Sequence, residues 1–167
     1  MPKTARLAAL FVLIIAGLAT IAAAWGFQLI GGYVPCKLCL EQRVPFYVGL
    51  PLAVVALGAA QRDHRWLFAA AAGLTALVFA YGSALGVYQA GAEWGFWAGP
   101  SDCGGGVAAP PSATSLLEAL KTTRVVSCTE ASWRLLGLSF AGWNAVVSAG
   151  LAGLAVLSLL AGRRRST

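Results

Sequence analysis

The residues best suited to chemistry in this 167-residue chain are its four cysteines. Cys36 and Cys39 form a Cys-x-x-Cys pair with Arg43 shortly after it, whereas Cys103 and Cys128 lie far along the chain. A pair with this spacing is either a dithiol/disulfide couple or half of a metal site. The spacing alone does not choose between them, so the surrounding sequence has to decide.

The setting of the Cys-x-x-Cys pair favours a reactive thiolate. If this stretch is helical, Cys36, Cys39 and Arg43 lie on nearly one face. A guanidinium near a thiol favours the thiolate, and a helix N-terminus adds to that effect. Pro45 disfavours the helical conformation for Val44, which indicates that a long helix begins there. Whether the cysteines lie on that helix or on a separate turn before it stays open from the sequence.

The composition is that of an integral membrane protein. Hydrophobic residues make up 59% of the chain and charged residues 11%, and the mean hydropathy is +0.75. The net charge of +6 does not indicate nucleic-acid binding, because the positive charges stand beside long apolar runs, where membrane topology explains them. We therefore expect membrane lipid around the chain and no nucleic-acid partner.

Four apolar segments approach or exceed the length that a membrane-spanning helix needs. They cover residues 7–30, 44–60, 66–87 and 140–161. The predicted fold class is therefore an all-α membrane protein, a four-transmembrane-helix bundle that forms one membrane domain over residues 1–167. Its two non-cytoplasmic loops are residues 31–43 and 88–139. A capping box at residues 115–118 predicts a short amphipathic helix in the second loop.

The charges orient this bundle through the positive-inside rule. The side with both termini and the turn at residues 61–65 carries seven basic residues against one acid, Asp63. The other side carries five basic and five acidic residues. The termini are therefore expected in the cytoplasm. All four cysteines are expected in the opposite compartment, where disulfides form and persist.

Three chemistries are open to these cysteines. Zinc is disfavoured, because only one pair has the spacing of a zinc knuckle and the single histidine, His64, belongs to the opposite side. Passive structural disulfides are the second, although a Cys-x-x-Cys bridge closes so small a loop that it stabilises little. The third is redox exchange, in which a thiolate attacks a disulfide and electrons pass on through mixed disulfides.

Two stretches resemble the DsbB family, the disulfide bond formation protein B family of bacterial inner membranes. The first is PCKLC at residues 35–39, followed by Arg43, which is similar to the family's first periplasmic loop. The second is CTEASW at residues 128–133, continued by LGL at residues 136–138 and by Trp143. It is similar to the family's stretch from the last cysteine into the fourth helix. With the four-span layout, the resemblance covers nearly the whole chain.

The resemblance implies an enzyme that reoxidises DsbA, a periplasmic thioredoxin-fold oxidant, and passes the electrons to a membrane quinone, either ubiquinone or menaquinone. On this resemblance, Cys103 forms the mixed disulfide with the partner, and Cys128 is its loop mate and the link to Cys36. Cys39 is the thiolate against the quinone, and Arg43 holds the quinone oxygen and stabilises negative charge. Cys39 and Arg43 are then the cofactor-binding residues, no metal is required, and the protein is expected to be a monomer.

Two other classes of protein stay open. A vitamin K epoxide reductase-like quinone reductase also places a Cys-x-x-Cys beside a quinone, although there the pair belongs near the end of the chain. A non-enzymatic membrane scaffold with structural disulfides is the other. Within the DsbB pattern, Gln42 stands where the best-known member has an acidic residue, which leaves the local backbone open.

Overall fold

A computed structural model describes residues 3–99, 124–125, 131 and 133–163 of the chain. Its helices are α1 (Lys3–Leu29), the short α2 (Lys37–Glu41), α3 (Val44–Gln61), α4 (Arg65–Glu93) and α5 (Phe140–Arg163). The four long helices, α3 taken together with α2, are long and apolar enough to cross a membrane. The predicted four-helix membrane bundle is confirmed. The amphipathic helix predicted from the capping box at residues 115–118 lies outside the described residues.

The helix bounds differ from the predicted ones at both ends of the bundle. α4 continues to Glu93, beyond the predicted end at Val87, so Gln89 is helical and does not belong to a loop. α1 begins at Lys3, ahead of the predicted start at Leu7. The predicted helix ends were set at the residues where the apolar runs of the sequence end. A helix satisfies its own backbone hydrogen bonds, however, and therefore extends past the hydrocarbon into the interface.

Two short strand pairs lie at the same end of the bundle as α2. β1 (Tyr33–Val34) pairs in parallel with β2 (Arg124–Val125), and β3 (Arg134–Leu135) pairs antiparallel with β4 (Leu138–Ser139). Leu136 and Gly137 join β3 to β4 with φ of 53° and 84°, the positive values that a two-residue hairpin turn requires. The sequence predicted only helices and loops here, because strands of two residues are too short to show an alternating pattern.

The opposite end of the bundle joins the start of α1 to the turn between α3 and α4. Lys3 Nζ donates to the carboxylate of Asp63 at 2.8 Å and to the carbonyl oxygen of Gln61 at 3.0 Å. Arg6 Nη2 donates to the carbonyl oxygen of Ala60 at 2.9 Å and lies 3.6 Å from the second carboxylate oxygen of Asp63. Basic residues used to orient the bundle therefore gather at the end away from the cysteine pair.

The interior of the bundle combines many small residues with a few large ones, while many large apolar side chains face outward. Ala53, Ala72 and Ala155 are fully buried, whereas Ile15 and Leu77 are 65% and 68% exposed. In water this arrangement is unfavourable, but lipid tails solvate the outward side chains. Small interior residues then let the helix backbones approach closely, and that packing holds the bundle together.

Glycine sets the separation between α4 and its neighbours. The long helices pack in the order α1, α3, α4 and α5 around the bundle, and α5 returns to α1. A Cβ added at Gly86 of α4 would lie 2.7 Å from the backbone nitrogen of Ala145 and 2.9 Å from the carbonyl oxygen of Ala141, both on α5. Because these are backbone atoms, no side-chain rotation relieves the contact. α4 and α5 are therefore in direct backbone contact near the cysteine end.

Gly86→Ala is expected to lower the free energy of unfolding by about 1–3 kcal/mol, because the added methyl group forces α4 and α5 apart. Thermal unfolding in detergent measures the change. The matched control is Gly73→Ala on the same helix, where an added Cβ meets nothing within 4 Å. Equal stability of the two variants would contradict the backbone contact.

Candidate functional site

Cys36 and Cys39 lie on a separate short helix before the long one. Cys36 is the N-cap of α2, and its sulfur accepts a hydrogen bond from the backbone N–H of Cys39 at 3.3 Å. The chain then turns through Gln42 and Arg43 before α3 begins. Pro45 lies in the first turn of α3, where its missing N–H costs no helical bond. The question left open by the sequence is thereby answered in favour of the separate turn.

The two cysteines differ in access and in acidity. Both are free thiols, and their sulfur atoms lie 2.7 Å apart, so a small movement closes the pair into a disulfide. The side chain of Cys36 is fully buried, while Cys39 is partly exposed. The hydrogen bond with Cys39, together with burial, raises the pKa of the Cys36 thiol. Cys39 is therefore the more accessible sulfur of the pair.

A cavity of about 510 Å³ lies beside Cys39, between α1 and α5. Apolar and aromatic side chains form most of its wall, and its polar lining groups include Cys39, Gln42, Arg43, Gln89 and Asn144. This volume and this mixture are typical of sites for small organic molecules, which range over about 300–1,000 Å³. The cavity is open to an apolar ligand that carries a few polar atoms.

Aromatic rings from different elements build part of the cavity wall. Phe140 of α5 meets Phe27 of α1 edge to face, with ring centroids 4.9 Å apart, and Trp133 stacks on Phe140 at 4.9 Å. Tyr33 lies edge-on to Phe140 at 5.8 Å. All four rings line the cavity. Such contacts stabilise beyond simple burial, so they hold α1 to α5 at this end and keep the wall in place.

Arg43 is buried at the edge of the same cavity and is positioned by α1. Its Nη1 donates to Gln28 Oε1 at 2.6 Å, and its Nη2 donates to the carbonyl oxygen of Ala24 at 3.4 Å. The guanidinium lies over the ring of Trp25, 5.2 Å from the centroid. The structure thus brings Arg43 and Cys39 to one cavity, and the hydrogen bonds of the guanidinium run to α1.

A chain of three side-chain amides, two of them buried, leads to the cysteine pair and was not predicted from the sequence. Asn144 Nδ2 donates to Gln42 Oε1 at 2.7 Å, and Gln42 Nε2 donates to Gln89 Oε1 at 2.6 Å. Gln89 Nε2 lies 3.6 Å from the sulfur of Cys39 and 3.9 Å from that of Cys36. Among the described residues, the side-chain N–H donor that reaches Cys39 is therefore an amide of α4.

The signal that identifies Gln89 is its place in an apolar helix. The apolar pattern of the sequence predicts a loop at this position, where a glutamine carries no functional signal. Once α4 is extended, Gln89 becomes a polar residue at the end of a spanning helix, and such residues usually mark functional positions. Glu93 follows four residues later on the same face, and Gln89 Nε2 donates to its Oε1 at 3.3 Å.

Two predicted site residues, Cys103 and Cys128, lie outside the described residues. The pairing of β1 with β2 brings the chain segment before Cys36 next to the segment before Cys128, because Val34 is paired with Val125. Cys36 comes two residues after Val34, and Cys128 comes three residues after Val125. Since three residues span at most about 11 Å, the covalent chain limits how far Cys128 extends from this pairing.

Fold and site together define a membrane-embedded thiol oxidoreductase, with a dithiol pair and an arginine at one cavity between spanning helices. The family model described as "Disulfide bond formation protein DsbB" matches residues 5–158. The chain belongs to the DsbB family. It is a multi-pass inner-membrane protein with an oxidoreductase role in disulfide bond formation.

Two relatives support this assignment. Disulfide bond formation protein B of Polaromonas sp. (strain JS666 / ATCC BAA-500) is 30% identical over 154 residues, which cover 82% of each chain. The protein of the same name from Verminephrobacter eiseniae (strain EF01-2) is 30% identical over 149 residues, or 80% of this chain and 74% of the relative. No solved structure matches significantly. The resemblance carried by the two cysteine-containing stretches is confirmed, and the two alternative classes fall outside this family.

In the reduced protein, an alkylating reagent is expected to modify Cys39 before Cys36. Thiolates react with such reagents, and the raised pKa of the buried Cys36 thiol keeps it protonated near neutral pH. Trypsin cleaves after Lys37 and so separates the two cysteines for mass spectrometry. In protein unfolded by SDS, the control, both should react at similar rates. Faster modification of Cys36 in the folded protein would contradict this assignment.

Proposed function

We propose that this protein oxidises a periplasmic thioredoxin-fold dithiol protein, similar to DsbA, and delivers the electrons to a membrane quinone, ubiquinone or menaquinone. In this proposal the termini lie in the cytoplasm and the cysteines in the periplasm, which the distribution of basic residues supports. The observation that carries the proposal is the shared cavity, because Cys39 and Arg43 border the same apolar space. Membership of a family that forms disulfides and works with quinones supports it.

The cavity suits the head group of a quinone. Its aromatic wall fits a flat ring, and its few polar groups fit ring oxygens, with Arg43 as the cationic donor. The helices beside it expose apolar side chains outward, which suits a lipid tail. When bound, a quinone supplies an acceptor for two electrons and two protons. Cys39 and Arg43 are the residues proposed to hold it.

The proposed path of electrons runs through two cysteine pairs. A thiolate of the partner attacks the disulfide between Cys103 and Cys128 at Cys103, and the electron pair leaves on Cys128. The Cys128 thiolate attacks the disulfide between Cys36 and Cys39 at Cys36. The bond between those two sulfurs breaks, and the electron pair leaves on Cys39 beside the cavity. The pairing of β1 with β2 supports this exchange, because it joins the two chain segments concerned.

The exchange balances without another oxidant. Attack by the partner's second thiol releases the partner as a disulfide and frees Cys103, which then displaces Cys36 from Cys128. The partner has then lost two electrons and two protons, and Cys36 and Cys39 are a dithiol. Their disulfide forms again as the same electrons and protons pass to the quinone. Because Cys36 is fully buried, this path also requires the chain around it to move when a sulfur arrives.

Arg43 is proposed to stabilise negative charge at the cavity. A guanidinium keeps its proton under all physiological conditions, and its field is strong where water is excluded. The contacts with Gln28 and Trp25 hold the guanidinium before any charge develops, so little reorganisation is required. The same positive charge serves the Cys39 thiolate and a reduced quinone oxygen.

Anaerobic mixing of the purified protein with a reduced partner and each quinone tests the function, because quinone reduction is followed by absorbance. Cys36→Ser and Cys39→Ser are each expected to abolish turnover. Cys103→Ser is expected to block exchange with the partner and to retain quinone reduction when dithiothreitol replaces the partner. Quinone reduction at the normal rate in Cys39→Ser would rule out the mechanism.

Arg43→Met is expected to raise the KM for quinone by about tenfold or more, since a charge-assisted hydrogen bond contributes about 1.5–3 kcal/mol. Gln28→Met is the matched control, because it removes a partner of the guanidinium and keeps the positive charge. Its KM should change less. An unchanged KM in a folded Arg43→Met protein would exclude Arg43 as the group that holds the quinone.

A further inference from the structure

Gln89 is a buried amide whose nitrogen lies against both sulfur atoms of the cysteine pair. The Nε2 distances are 3.6 Å to Cys39 and 3.9 Å to Cys36, and the side chain is 1% exposed. Burying an amide among apolar helices is unfavourable unless its donors and acceptor are all used. The burial of Gln89 is therefore best explained by the hydrogen bonds that its amide makes at the cysteine pair.

Either end of an amide can face a neighbour, so the orientation of Gln89 decides what it does to the sulfurs. Its Nε2 also donates to Glu93 Oε1 at 3.3 Å, and a carboxylate only accepts. Its Oε1 accepts from Gln42 Nε2 at 2.6 Å, and Gln42 Oε1 accepts from Asn144 Nδ2 at 2.7 Å. Each amide of the chain thus donates to the next, from Asn144 to Gln42 to Gln89, and the amide nitrogen of Gln89 faces the cysteines.

An N–H donor stabilises a thiolate more than a neutral thiol, because hydrogen bonds to charged acceptors are stronger. In the proposed electron path the negative charge arises on Cys39. The hydrogen bonds of the guanidinium of Arg43 run to α1, while Gln89 lies within hydrogen-bond reach of the sulfur itself. Gln89 and Arg43 thus approach the reacting end of the cavity from different helices.

We propose that Gln89 stabilises the thiolate of Cys39 by direct hydrogen bonding, and that Gln42, Asn144 and Glu93 are positioning residues that keep its N–H end on the sulfur. The hydrogen bond acts on the dithiol itself and requires neither the partner nor the quinone. Its consequence for turnover rests on the proposed function, because the charge matters only if electrons leave through Cys39.

Gln89→Met tests this role, because methionine preserves length and burial and removes the donor. In the fully reduced protein, the pH at which Cys39 reaches half its maximal alkylation rate is expected to shift upward by about one unit. The tryptic peptide of residues 38–43 reports Cys39 alone. The control is Thr75→Val on the same helix, which removes a different buried hydrogen bond, to the Ala71 carbonyl oxygen, and should leave the midpoint unchanged.

Gln42→Met provides a second measurement if Gln89→Met fails to fold. It leaves Gln89 in place and removes the bond that orients it, so a smaller shift in the same direction is expected. A midpoint equal to that of Thr75→Val in the folded Gln89→Met protein would overturn the proposal. If only Gln42→Met folds, an unchanged midpoint in that variant would overturn it too.

Kinetics separate this proposal from the proposed function. Gln89→Met is expected to lower kcat for quinone reduction by about tenfold with little change in the KM for quinone, because the lost donor acts on sulfur. A higher KM at unchanged kcat would instead assign Gln89 to quinone binding and overturn the proposal. Failure of the wild-type protein to reduce any quinone would overturn the proposed function, while the shift of the alkylation midpoint would still stand.

Discussion

The hydrogen bond from the Gln89 amide to the sulfur of Cys39 is the contact on which the arrangement of the site depends. It requires three parts of the chain to be in register, namely α4, the turn after α2, and α5, which carries Asn144. The close approach at Gly86 sets that register, since it brings α4 against the backbone on either side of Asn144. Helix packing and site chemistry therefore depend on each other. If α4 and α5 move apart at Gly86, the hydrogen bonds between Asn144, Gln42 and Gln89 are stretched as well.

The site is asymmetric, and the asymmetry fits the proposed one-way flow of electrons. Cys36 is buried and caps α2, while Cys39 faces the cavity with Gln89 at its sulfur and Arg43 at the cavity edge. A fixed amide dipole from α4 lies at the sulfur of Cys39, and the positive charge proposed to act there is held by α1 at the edge of the same cavity. Both are in place before the reaction, so charge develops there at little reorganisation cost.

The hydrogen bonds of Gln42 show what this residue does in the site. The best-known DsbB protein has an acidic residue at this position, and a carboxylate only accepts hydrogen bonds. The amide of Gln42 accepts a hydrogen bond from Asn144 on α5 and donates one to Gln89 on α4. It therefore links the two helices and keeps all the hydrogen bonds of the amide chain in the same donor-to-acceptor direction. Glutamine at this position therefore supplies both the acceptor and the donor that a continuous amide chain uses.

The sequence by itself determined the four-span bundle and the Cys36–Cys39 pair with Arg43, because apolar run length and close spacing are properties of a linear chain. It also indicated the family, through the resemblance of its two cysteine-containing stretches. Only the tertiary structure placed Gln89 and Asn144 at the site, since they lie 47 and 102 residues from Gln42. Their meeting depends on how each helix is rotated about its axis. That rotation is set by backbone contacts between small residues such as Gly86, which no local pattern reveals.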